Sequence, residues 1–167
     1  MISEHLAAEL RDAGLRWKPA AGDRFVIPQP GLEGEVFTLS EMTIEARQYP
    51  SGTILGFNGT TEWALDSVAQ DDALWMPRED QLRELLGGTF VSLLHVGELE
   101  PDTPVVTPTP VGTAHIASPM PRPAGTWVVT TRTPSGEEAD FGATNPADAY
   151  GLAVLALVRH ALEDVRA

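Results

Sequence analysis

Thr43-Ile44-Glu45-Ala46-Arg47-Gln48-Tyr49-Pro50-Ser51-Gly52-Thr53-Ile54-Leu55-Gly56-Phe57 is the stretch on which the fold turns. Thr43, Glu45 and Arg47 alternate with Ile44, Ala46 and Gln48. A period of two marks a strand with one wet face. Pro50-Ser51-Gly52 supplies a turn, and residues 53–57 read as the returning strand. Two such runs around turn residues predict a β-hairpin, and so an antiparallel sheet. Asn58-Gly59 closes it with a pair that tolerates positive φ.

Toward the amino terminus the signals are shorter. Residues 24–27 and 35–39 read as strands, separated by Pro28-Gln29-Pro30-Gly31. A polar bend, Pro19-Ala20-Ala21-Gly22-Asp23, precedes them. Before it, Ile2, Leu6, Leu10 and Ala13 form one helical stripe, with Ser3 as its cap and Gly14 as its stop.

Toward the carboxyl terminus, residues 60–70 fit either a strand or a short helix, and Asp71-Asp72 break the run. Trp75-Met76-Pro77-Arg78-Glu79-Asp80 announces a helix, with Pro77 expected at its first position. Glu79 and Asp80 favour the positive end of the helix dipole. Leu82, Leu85 and Leu86 form the expected buried stripe, and Gly87-Gly88 the stop. Residues 90–96 fit a helical turn or a strand. Residues 97–125 hold seven of the 14 prolines, and Arg122 is the only charged residue from 103 to 125. Proline opposes both helix and central strand, so this is a linker, or a long surface loop wrapping the domain. Residues 126–133 and 138–141 read as a second hairpin around Pro134-Ser135-Gly136-Glu137. A final helix starts at Pro146, with Tyr150, Val154, Leu157, Val158, Ala161 and Val165 on one face, widened by Leu152, Leu155 and Leu162.

The fold class is therefore α+β: an antiparallel sheet of hairpins packed against helices, with a long proline-rich loop or linker. The expected organisation is an α+β portion over 1–96, the proline-rich segment over 97–125, and a hairpin plus helix over 126–167 that completes the same domain. The length of 167 residues fits this.

Composition narrows function. Eleven basic residues against 24 acidic ones give a net charge of −13. Non-specific nucleic-acid binding and docking on anionic lipid both rest on Lys and Arg, so neither is expected. The absence of cysteine excludes disulfides, thiolate metal sites and thiol catalysis. The first residues lack the basic and apolar regions of a secretion signal, and no apolar run approaches the roughly 20 residues of a membrane helix. The expected location is cytoplasmic.

Catalytic motifs are missing. Lys18, the only lysine, lies in no phosphate-binding loop. The histidines His5, His95, His115 and His160 are scattered, without zinc spacing. Ser92 and His95 lie three apart on an apolar run, outside any nucleophile motif. No cofactor is implied. The expectation is a non-catalytic acidic binding or regulatory protein with a protein partner, a basic one being favoured by charge. Its candidate binding surface is Asn58, Thr60, Thr61, Glu62, Asp66, Trp75 and Arg78. One alternative is an enzyme acting on a small molecule, with a divalent cation held by Glu62, Asp66 and Asp71 or Asp72. Another is a phage or mobile-element protein that mimics the charge of DNA, which needs carboxylates arrayed on one face.

The runs Phe57-Asn58-Gly59-Thr60-Thr61-Glu62-Trp63-Ala64-Leu65-Asp66-Ser67-Val68 and Leu74-Trp75-Met76-Pro77-Arg78-Glu79-Asp80-Gln81-Leu82-Arg83, with Gly22-Asp23-Arg24-Phe25, carry a likeness. Together they resemble a family of small actinobacterial proteins often labelled pilus assembly protein CpaE. The likeness covers residues 3–95 and returns near 147–157; the proline-rich segment departs from the shorter family pattern. It implies kinship and an actinobacterial host, and carries no catalytic residue across. The closing Asn145-Pro146-Ala147-Asp148-Ala149 is also faintly similar to the end of small phage-associated α+β proteins.

Overall fold

The hairpin forms with Ile44 opposite Phe57 and Tyr49 opposite Gly52, leaving Pro50-Ser51 as its loop. The computed structural model of the chain describes residues 1–40, 43–58, 67–97 and 124–166. In chain order, α1 (Glu4–Asp12) precedes β1 (Arg24–Val26), β2 (Val36–Thr38), β3 (Ile44–Tyr49) and β4 (Gly52–Phe57). Then come β5 (Ser67–Ala69), a 3-10 turn (Gln70–Asp72), β6 (Leu74–Trp75) and α2 (Glu79–Leu86). A second 3-10 turn leads to β7 (Phe90–Val96), and β8 (Thr126–Arg132), β9 (Glu138–Ala143) and α3 (Pro146–Arg166) follow. The fold is α+β, and every strand pairing is antiparallel. In place of one sheet, the described strands form three of three strands each, ordered β2-β1-β6, β3-β4-β5 and β7-β8-β9. Of the proline-rich segment expected over 97–125, residues 98–123 lie outside the described residues.

Two apolar cores organise these pieces. Phe25, Ile27, Phe37, Leu39, Ile44, Leu55 and Val68 fill one, among the first six strands. Leu6 and Leu10 of α1, Leu82 and Leu86 of α2, Val129 of β8, and Tyr150, Val154 and Leu155 of α3 build the other. Successive residues of a strand point to opposite faces. Phe25 of β1 thus enters one core while Val26 enters the other. The α1–α3 contact is closed by polar ties: the Ser3 backbone N–H donates to Asp148 Oδ1 at 2.7 Å, and Arg159 Nη2 donates to Glu9 Oε2 at 3.2 Å.

Several local expectations are corrected. The chain is still extended at Trp75, which pairs with Phe25, and α2 begins only at Glu79. Pro77 therefore stands before the helix, and Arg78 occupies the capping position. Gly87, at φ +51°, ends α2 in a conformation costly for other residues. Leu85 leaves the buried stripe and is 39% exposed. Ser3 stands at the cap of α1, yet its hydroxyl makes no capping bond. Beyond Ile44, no residue of β3 is buried, because the hairpin runs past its core. The first half of α3 is buried, whereas Ala161 and Leu162 emerge into solvent past the sheet. Residues 90–96 are a strand. Among the described residues no helix is long and apolar enough to cross a membrane.

Candidate functional site

Two places concentrate chemistry. The first is a polar knot around Asp23, which is only 2% exposed. Its Oδ2 accepts from Trp17 Nε1 and from the Ala20 backbone N–H, both at 2.9 Å. Its Oδ1 accepts from Gln81 Nε2. The Gln81 Oε1 accepts in turn from the Arg78 N–H at 3.0 Å, which fixes the start of α2. Arg78 Nη1 donates to the Gly22 carbonyl at 2.8 Å and lies 3.8 Å from Asp23 Oδ1. Its Nε and Nη2 grip both oxygens of Asp80 at 3.0 and 2.9 Å. That grip holds the Asp80 carboxyl below the ordinary carboxylate range and raises the Arg78 guanidinium. A carboxylate that receives several hydrogen bonds needs no further partner. The knot therefore ties the 17–23 bend to α2, and this arrangement accounts for Arg78.

Beside the knot, the Trp17 and Trp75 rings stack, with centroids 6.4 Å apart and planes 4° from parallel. Gln70 Nε2 donates to the Trp17 carbonyl at 2.7 Å, so Trp17 is anchored at both its backbone and its ring. A cavity of about 80 Å³ lies against this pair, bounded by α1, the 3-10 turn and the chain leading into α2. The Trp75 indole N–H is buried and has no acceptor among the described residues.

The second place is apolar. Leu86 and Thr89 after α2, Thr131 of β8, Phe141 of β9, and Ala153, Ala156 and Leu157 of α3 surround a pocket of about 170 Å³. The alanines at 153 and 156 lie one turn apart on α3, and their small side chains leave the hollow. Across Thr89, Arg132, Thr133 and Pro134 it adjoins a wider cleft of about 460 Å³, reaching Phe90 and Val91. Elsewhere on these two helices, Leu85 of α2 and Leu162 of α3 are 39% and 42% exposed. Arg132 is engaged by Glu138, and Arg83 lies over the Phe90 ring at 3.9 Å.

The structure does not gather the expected surface. Thr60, Thr61, Glu62 and Asp66 lie outside the described residues. Asn58 follows β4 and accepts from Arg47 at 3.3 Å, whereas Trp75 ends β6 and Arg78 caps α2. Of the carboxylates proposed for a cation, Asp71 and Asp72 are exposed on a 3-10 turn and the other two lie outside the described residues. Among the described residues no three His, Asp or Glu side chains group as a metal ion requires. Acidic residues are spread over α1, α2, β3 and β9, and Glu9, Asp12, Glu45, Asp80 and Glu138 each pair with an arginine. No protein-family model matches the chain, and no curated protein or solved structure matches it significantly.

Sequence reasoning missed Asp23 and Gln81, because a buried carboxylate on a polar bend looks like any turn residue. It missed the apolar pocket too. The signal for it was the small residues on α3, of which Ala153 and Ala156 face the pocket.

Proposed function

We propose that this chain is a non-catalytic, acidic, cytoplasmic binding protein that acts through a basic protein partner. The apolar pocket between α2, the β8–β9 hairpin and α3 is its docking point. That pocket carries the proposal. Its volume of about 170 Å³ suits one large apolar side chain, since an engineered cavity of about 150 Å³ takes up benzene. Interface energy concentrates in a few such anchors seated in desolvated pockets. The net charge of −13 supports the choice of a basic partner, because complementary fields speed encounter and exclude wrong partners. Kinship with the CpaE-labelled actinobacterial proteins belongs to this proposal and adds no residue to the site.

The test is to fill the hollow. Ala156→Trp occupies the pocket and leaves the acidic surface as it is. Affinity for the partner falls about 30-fold, the loss of one anchor worth roughly 2 kcal/mol. Unchanged affinity in a folded Ala156→Trp protein places the partner elsewhere.

A further inference from the structure

We propose that the cavity beside Trp17 and Trp75 is a second binding site, distinct from the docking pocket, and that it takes a carboxylate on a short apolar stem. Three observations carry this. First, the Trp75 indole N–H is a buried donor with no acceptor among the described residues. Native proteins leave very few such groups unpaired, so this donor is one that an arriving acceptor satisfies. Second, the cavity brings positive charge into a strongly acidic molecule: Arg11 and Arg16 both line it, against Asp71. Arg11 is shared with Asp12, but Arg16 is exposed, with no ion-pair partner among the described residues. Third, the two rings differ in whether their N–H is already taken. Trp17 is tethered through its N–H to Asp23, whereas Trp75 has no polar tether. Trp75, which also lines the cavity, is therefore the ring whose N–H is left for an arriving oxygen.

The walls set the ligand class. Leu10, Leu15, Leu74 and Pro77 are apolar and favour a hydrocarbon stem. One free guanidinium and one indole N–H match the two oxygens of a monoanion. An inorganic phosphate dianion brings more charge than these donors neutralise, and its desolvation in an apolar cleft is costly. At about 80 Å³ the space admits a head group and the first carbons of its stem. The source is either a free small acid or the carboxyl terminus of a peptide.

The experiment follows the indole N–H resonances of the four tryptophans in ¹⁵N-labelled full-length protein, with Trp75 assigned through Trp75→Phe. The protein is titrated with acetate, with propionate, and with a short apolar peptide as the free acid and as the amide. The expected result is a saturable downfield shift of the Trp75 N–H, with a Kd on the order of 1 mM for so small a group. Arg16→Gln weakens it about tenfold. A response to the small acids alone identifies a metabolite-type ligand, and a response to the free-acid peptide alone identifies a chain terminus; both support the site. A Trp75 resonance that stays still with every carboxylate overturns it. So does an equal shift with chloride or the amidated peptide, or full affinity in the Arg16→Gln protein.

Discussion

Asp23 shows how one residue decides whether two parts of the chain hold together. Its carboxylate is the common acceptor for Trp17, Ala20 and Gln81. Asp23→Ala leaves these donors buried or half-buried without an acceptor, and each such donor costs about 1–3 kcal/mol. The variant therefore loses about 3 kcal/mol in urea unfolding, with the Trp17 emission shifted to the red. A loss no larger than that of the exposed change Glu137→Ala contradicts the knot. Tyr150 makes a second prediction. Burial pushes its phenol above the ordinary value of 10.0, with Glu79 adding and Arg83 opposing. The folded protein keeps the proton that the unfolded chain gives up. The contribution is thus complete below the unfolded value and is lost as pH rises through the folded one. Tyr150→Phe removes this component, so wild type loses stability more steeply above pH 10.0 than the variant does. Equal alkaline losses contradict it. At this scale little was legible beforehand. Trp75 and Arg78 stood out in the sequence, but the partners that explain them, Trp17 and Asp23, lie 58 and 55 positions away in the chain.

Elements were easier to read than the contacts between them. The 43–57 hairpin, the 126–141 hairpin and the helix opening at Pro146 follow from local periodicity and turn chemistry, and each is present. The beginning of α2 was misplaced because a two-residue strand has no periodicity of its own. Leu74 and Trp75 are extended only because β1 pairs with them. Helix packing adds a test. At Gly151 of α3 a Cβ would lie 2.7 Å from Leu6 Cδ2 and 3.0 Å from Ile2 Cδ1 on the α1 side. Alanine gains about 1 kcal/mol of helix propensity over glycine, but overpacking a filled core costs about 1–3 kcal/mol. Leu6 and Ile2 are themselves buried and have little room to move. Gly151→Ala therefore destabilises in spite of propensity, and Leu6→Ala relieves part of the loss in a double-mutant cycle. A stabilised Gly151→Ala protein, or strict additivity with Leu6→Ala, shows that α1 yields at this contact.

For the whole molecule the acidic balance was plain from composition, and the α+β class followed from the hairpins. The division into three sheets around two cores was not, because it depends on which strand edges meet, and the apolar pattern of each strand is the same either way. The apolar pocket was hidden for a related reason: a hollow belongs to four elements at once and to no single run of residues. Charge makes its own prediction at this scale. If a field of −13 steers the partner, association slows as salt rises while dissociation changes little. Stopped-flow rates that ignore salt contradict steering. Docking at the proposed apolar pocket is decided by one comparison. Wild type and Ala156→Trp, both verified as folded, are used at low and moderate salt to capture protein from a lysate of the native host. Docking there predicts one basic protein retained in stoichiometric amount by wild type, lost with Ala156→Trp and weakened as salt rises. An empty wild-type column, or the same protein held equally by both, contradicts it.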